Sequence, residues 1–273
     1  MLKTFNLNDS KLNYHQKIIK KIQTDLSALP ERFWKTNPII SGSYAVHLLF
    51  KPATLYDDID VYFETEKDFL DCTKVLKGLI ESNPLPSGGQ IYPAKNSTTY
   101  LYDFAKIQLI NKAFMPPQNL IYDHDLKNVS IAIQGTDIYL DDEIFSLFWN
   151  DKISIRSTQI TDDMSDKDKM IKIANLYYRV KKYALKYDLI PDYESRIILT
   201  ELLDFLEAMP ENIKETTYVD SSIYYGSYTA SQKNKSSISV TIHRMRVDLA
   251  HMNQIETSSL DEHESSVNSW LEF

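Results

Sequence analysis

Two short stretches carry the residue types that could handle a phosphorylated substrate. Asp58 and Asp60 stand two apart in Asp57-Asp58-Ile59-Asp60-Val61-Tyr62-Phe63. On a strand that spacing projects both carboxylates from one face, whereas Asp57 points to the other and reads as a loop-edge acid. Paired carboxylates suit Mg2+, a hard cation that takes oxygen ligands and bridges protein carboxylates to phosphates. One or two such ions could activate an attacking hydroxyl and neutralise a leaving pyrophosphate. Upstream, Gly42-Ser43 follows the apolar run Pro38-Ile39-Ile40 and precedes helical sequence. There the missing side-chain bulk admits a phosphate, a helix N-terminus offers free N–H groups, and Ser43 adds a hydroxyl.

The elements that must position these residues are legible around them. Leu12, Ile18, Ile19, Ile22, Leu26 and Leu29 recur at helical steps over 9–29 behind a cap at Asn8 to Ser10, and Pro30 ends the run. Pro38-Ile39-Ile40 reads as a strand, Tyr44 to Phe50 as a helix broken at Lys51-Pro52, and Asp58 to Phe63 as a strand with one wet and one buried face. Glu66 to Glu81 follows as an amphipathic helix with Phe69, Cys72, Val75, Leu76 and Leu79 on its apolar side, and Pro84 to Gly89 as a loop. Tyr100 to Phe104, Lys106 to Ile110, Val129 to Ile133, Ile138 to Leu140 and Ile153 to Ile155 read as strands, with a helix at Pro116 to Tyr122. Strands interrupted by helices make the class α/β or α+β.

After Ser157 the texture changes. Asp162-Asp163-Met164-Ser165-Asp166 caps a long helix through Tyr187, and Pro191 starts another through Met209. The reading is a first domain over 1–157, a helical module with a late strand at Ile238 to His243 over 158–256, and an acidic, mobile tail over 257–273. The long helix carries Lys169, Lys172, Arg179, Lys181, Lys182 and Lys186. A solvated basic face is the plain explanation, and a set of phosphate contacts is the functional one.

In order, the apolar strand, Gly42-Ser43, the short helix and Asp58-Ile59-Asp60-Val61 resemble the DNA polymerase β-like nucleotidyltransferase superfamily over residues 35–110. Tyr102 to Lys112 and Arg179 to Tyr187 are also similar to phage and bacterial nucleotidyltransferase-like proteins, toxin-like members included. The resemblance implies a nucleotidyltransferase-type mixed sheet flanked by helices, with an appended helical module. It implies that Asp58 and Asp60 bind Mg2+, with two ions in the full site, and that Gly42 and Ser43 hold the triphosphate of an NTP. Arg179 and Lys182 become candidates to steady the pyrophosphate. The acceptor would be RNA, a protein or a small molecule.

The sequence departs from the superfamily pattern at two points. Fourteen residues separate Ser43 from Asp58, which a longer loop at Lys51 to Tyr56 absorbs. Gln108 stands in Lys106-Ile107-Gln108-Leu109-Ile110 where a third carboxylate is expected, and an amide brings no charge to a metal. Asp103 and Asp125 are the alternative acids. A catalytically inactive descendant of the fold, kept for binding or structure, is therefore the second reading.

Bulk properties narrow the setting. The chain has 273 residues, a net charge of -8 and a single cysteine. A global basic field for nucleic acid is thus excluded, so any such contact must come from a local patch. Intramolecular disulfides and multi-thiolate zinc sites are excluded too, and a reducing cytoplasm is the expected setting. No apolar run approaches the ~20 residues of a membrane helix. His47, just after Gly42-Ser43, could face a nucleotide but reads better as structural. His124, His243, His251 and His263 have no metal-ligand spacing among themselves, and Tyr224 to Tyr228 could stack bases or pack on the helical module.

Overall fold

The computed structural model describes residues 2–6, 13–82, 89–220 and 235–258. The cap at Asn8 to Ser10, the Pro84 loop, the Tyr224 to Tyr228 run, His263 and the tail beyond Ser258 lie outside them. The chain divides into two compact units, Met1–Ser146 and Leu147–Phe273. No helix among the described residues is long and apolar enough to cross a membrane.

The first unit is built on one eight-stranded mixed sheet flanked by helices. Its strands are β1 (Leu2–Asn6), β2 (Ile39–Ser41), β3 (Ile59–Phe63), β4 (Gln90–Pro93), β5 (Ser97–Leu101), β6 (Lys106–Phe114), β7 (Ile131–Gln134) and β8 (Asp137–Asp141). Its helices are α1 (Asn13–Asp25), α2 (Glu31–Trp34), α3 (Gly42–Leu49), α4 (Glu66–Ser82) and α5 (Pro117–Asp123). A further helix, α6 (Glu143–Trp149), spans the boundary between the units. The strand order is β1-β8-β7-β2-β3-β6-β5-β4, antiparallel throughout except for the parallel pair β3/β6. The central strands bury nearly everything they can: Ile39 and Ile40 of β2, Ile59, Val61 and Phe63 of β3, and Ile107 and Leu109 of β6. On β3 this is the alternation of period two expected from sequence, with Asp60 and Tyr62 between the buried positions.

The sheet edges differ from expectation. Strands β1 and β4 escape a periodicity reading because they are the two outermost strands, and every residue of β4 is exposed. The strand expected at Tyr100 to Phe104 is shifted to Ser97–Leu101, and residues 102–105 form the turn into β6, closed by Tyr102 N–H donating to Ala105 O at 2.9 Å. Tyr102 itself is buried, and its hydroxyl donates to Leu76 O of α4 at 2.9 Å.

Helix α4 packs Cys72, Val75 and Leu76 inward. Burial pushes the Cys72 thiol up to about 12, a rise that a hydrogen bond with Thr36 partly opposes. At pH 8 only on the order of one thiol in ten thousand is then ionised, and the thiolate is the reactive form. The native protein should therefore resist a chromogenic disulfide reagent at pH 8 and release one equivalent on unfolding in urea. Stoichiometric labelling without denaturant would contradict the packing of α4.

The second unit carries the helices α7 (Asp166–Tyr187), α8 (Tyr193–Ala208), α9 (Glu211–Thr216) and α10 (Ile238–Ser258). Two small ladders join them, β9 (Lys152–Ile153) with β10 (Ile190–Pro191), and β11 (Tyr218–Asp220) with β12 (Lys235–Ser237). Ser165, within the stretch expected to cap α7, accepts from Asp168 N–H, whereas Pro191 lies in β10 and does not start α8, whose cap is Asp192, accepting from Ser195 N–H. The strand expected at Ile238 to His243 is instead the first turns of α10. The short alternation there is the start of a longer helical period, with Ile238, Ile242, Met245, Leu249 and Met252 buried.

Candidate functional site

The site begins at the junction of β2 and α3. Ser41 ends the strand in extended conformation and is the N-cap of α3, yet its side chain makes no capping bond. Its hydroxyl is otherwise engaged, donating to Ile131 O at 2.5 Å and meeting His124 Nε2 at 2.9 Å. With the single hydroxyl proton on the carbonyl, Nε2 must be the donor in the second contact.

Gly42 follows in the left-handed region at φ +72°. A Cβ there would stand 2.5 Å from Asp60 Oδ2, so the carboxylate rests directly against the glycine backbone. Both the conformation and the close approach require glycine. The contact is set by pairing: Ser41 faces Asp60 across β2/β3, and Asp60 faces Gln108 across β3/β6. Gly42 and Ser43 are themselves buried, in an apolar α3 that also buries Tyr44, Ala45, Val46 and Leu48.

Asp58 lies one residue before β3, not within it. Because Ile59 faces Ile107 in the parallel ladder, Lys106 comes alongside Asp58, with Nζ 3.4 Å from Oδ2. The two side chains are 18% and 16% exposed, so the pair is shielded from solvent without being sealed off. Gln108 occupies the neighbouring row beside Asp60, and its Nε2 donates to Thr99 Oγ1 at 3.0 Å on the far strand β5.

The structure therefore brings Gly42, Asp60, Asp58 and Gln108 to one end of the central strands. Asp103 is exposed in the turn after β5, and Asp125 is half-buried after α5. Among the described residues no three of His, Cys, Asp and Glu form a group that would hold a metal ion. Asp58 and Asp60 are the two carboxylates there that could contribute oxygen ligands to a divalent cation.

His47 takes the structural part of the two foreseen for it. Its Nδ1 meets Thr54 O at 2.7 Å and its ring lies 5.1 Å from that of Tyr56, which pins the loop between α3 and β3. Tyr44 donates to Asp25 Oδ2 of α1 at 3.0 Å, and burial, reinforced by the Asp25 charge, drives its phenol well above the ordinary range. His124 escapes sequence reasoning because no spacing links it to Ser41. The two are 83 residues apart, and His124 reaches Ser41 from the C-terminal end of α5.

Arg179 and Lys182 belong to α7 in the second unit. Both lie against the ring of Tyr183, at 5.9 Å and 5.7 Å from its centroid. Lys181, between them, is a buried partner of Asp248, so the basic row is not one continuous solvated face.

Comparison with known proteins sets these features in a family. The chain resembles the Thermotoga maritima CCA-adding enzyme complexed with tRNA, at a TM-score of 0.50 and 14% identity, covering 96% of this chain and 57% of that one. It also resembles a CCA-adding enzyme in complex with ATP, at a TM-score of 0.51 and 12% identity, over 77% of this chain and 48% of that one. An apo CCA-adding enzyme aligns at a TM-score of 0.51 and 12% identity, over 96% and 57%. At such identities the likeness is one of fold, a nucleotidyltransferase fold, and the chain spans about half the length of these enzymes. No curated protein matches the sequence. A family model described as Gabija anti-defense 2 family protein matches residues 9–148, which run from α1 through strands β2 to β8 into α6. That match covers just over half of the chain and includes every residue of the Gly42–Asp60 site, and the chain belongs to the Gabija anti-defense 2 family.

Proposed function

We propose that this protein is a nucleotidyltransferase that moves a nucleoside monophosphate from an NTP to a hydroxyl acceptor, and that it uses this reaction against a Gabija defence system. The observation that carries the reading is the contact between Asp60 Oδ2 and the Gly42 backbone. It joins a carboxylate able to hold Mg2+ to a turn able to hold phosphate, and transfer from an NTP needs both at one point. The anti-defence setting rests on family membership. A cytoplasmic, NTP-replete setting accords with a lone buried cysteine.

In this mechanism Asp58 and Asp60 hold the metal, and the metal when bound would polarise the α-phosphate and offset charge on the departing pyrophosphate. Gly42 lets the triphosphate approach the first turn of α3, where backbone N–H groups, with the Ser43 hydroxyl, orient it. Ser41, held by Ile131 O and His124, fixes where that turn begins. Arg179 and Lys182 serve as candidate contacts to the β- and γ-phosphates.

The test incubates the full chain with each labelled NTP, Mg2+ or Mn2+, and RNA, protein and small-molecule acceptors. Transfer should be lost in Asp58→Ala/Asp60→Ala, and Arg179→Ala/Lys182→Ala should raise the KM for NTP more than it lowers kcat. Transfer that survives the aspartate double substitution would remove those residues from the reaction. The second reading, a non-catalytic member of the fold, draws on Gln108 beside Asp60 and on Lys106 beside Asp58. It would be favoured by metal-independent NTP binding, or none, with no transfer to any acceptor.

A further inference from the structure

The strand that neighbours the aspartates contributes no acid to them. In β6 the residue beside Asp58 is Lys106, with Nζ at 3.4 Å, and the residue beside Asp60 is Gln108. Gln108 is turned to another task, since its Nε2 donates to Thr99 Oγ1 at 3.0 Å, and Thr99 is buried. The four side chains together carry two negative charges and one positive charge. Two divalent cations placed a few ångströms apart repel strongly, and two carboxylates, one of them already facing an ammonium, offset that repulsion less than a set of acids alone would.

The positions of the two aspartates divide the work. Asp60 lies on the Gly42 turn, where a cation can touch both a carboxylate and an incoming phosphate. Asp58 lies one row away and already faces an ammonium group. A lysine is a compact point charge on a flexible stem, so Lys106 can neutralise Asp58 and still reach an anionic oxygen nearby.

We infer that this site holds a single divalent cation, centred on Asp60, and that the Lys106 ammonium takes beside Asp58 the place of a second one. The inference rests on the nucleotidyltransferase reading and sharpens it: Lys106 is the residue that supplies the second positive charge to the bound triphosphate. It predicts that the metal stoichiometry is set by β6 and can be changed there.

The experiment counts protein-bound Mn2+ by electron paramagnetic resonance and equilibrium dialysis, with each of the four α,β-methylene NTPs present at saturation. Wild type should bind about one Mn2+ per chain, and Lys106→Arg, which keeps the charge, should do the same. Lys106→Met/Gln108→Asp removes the ammonium and adds a carboxylate beside Asp60, and its count should rise to about two. A count of about two in wild type overturns the inference while leaving the nucleotidyltransferase reading intact. A folded double variant that still binds about one also overturns it, and should that variant not fold, the wild-type count decides alone. Absence of bound Mn2+ in wild type with every analogue overturns both readings together.

Discussion

Gly42→Ala is expected to cut nucleotidyl transfer by roughly 100-fold or more, since displacing a reacting group by an ångström has that effect. Its cost in stability should be far smaller, about 1–2 kcal/mol, the penalty for an L-residue in the left-handed region that Gly42 occupies at φ +72°. The asymmetry follows from what the new methyl group would strike. Its first neighbour, at 2.5 Å, is Asp60 Oδ2, the tip of a side chain and not a strand backbone. The carboxylate can rotate away, which relieves the overlap but removes the metal-binding group from the phosphate-binding turn. Stability, read from the urea midpoint at unchanged m-value, should therefore fall modestly while turnover collapses. Turnover within a few-fold of wild type would mean that the Gly42 turn is not where the phosphates sit.

That pairing of residues was half visible in the sequence. Gly42, Asp58 and Asp60 stand out because their types and order are unusual, and the strand alternation places Ile59 and Val61 inward as observed. Gln108 could be flagged as an amide in place of an acid, and the ladder sets it opposite Asp60. The role of Lys106 was hidden, because only the parallel register of β3 and β6 brings it to Asp58. His124 was hidden as well, because it meets Ser41 only through the tertiary fold, from the end of α5. Local pattern identifies residues with chemical potential, and non-local pairing decides which of them meet.

The fold was most legible where a single element buries its own face. Helices α4, α7 and α8 follow their apolar periods, and Ser165 and Asp192 cap as their types suggest. Strands β1 and β4 were missed at the two sheet edges, and in β4 the exposure of every residue removes the apolar signature. The segment at Ile238 misled for a different reason. Over six residues Ile238, Val240 and Ile242 alternate like a strand, and only the continuation to Met245, Leu249 and Met252 reveals a helix.

Lys181→Met should destabilise the second unit by about 3 kcal/mol, because removing one partner of a buried ion pair leaves the other charge uncompensated. Lys181 Nζ donates to Asp248 Oδ2 at 2.8 Å, and Tyr177 OH donates to the same oxygen at 2.5 Å, joining α7 to α10. The two ends of this bridge are not equivalent. Asp248 is short and 5% exposed, so once the ammonium is gone its carboxylate retains the Tyr177 hydroxyl but cannot extend to water. Lys181 has a long stem and can carry its charge outward when Asp248 is lost, so Asp248→Asn should cost less, about 1–2 kcal/mol. Lys181→Met/Asp248→Leu replaces both charges with apolar groups of similar volume and should recover most of the loss. Urea denaturation of the four proteins tests this ordering. Equal losses in the two single variants would show that the lysine finds no route to solvent, and a double variant no better than Lys181→Met would show that packing, not the unpaired carboxylate, sets the cost.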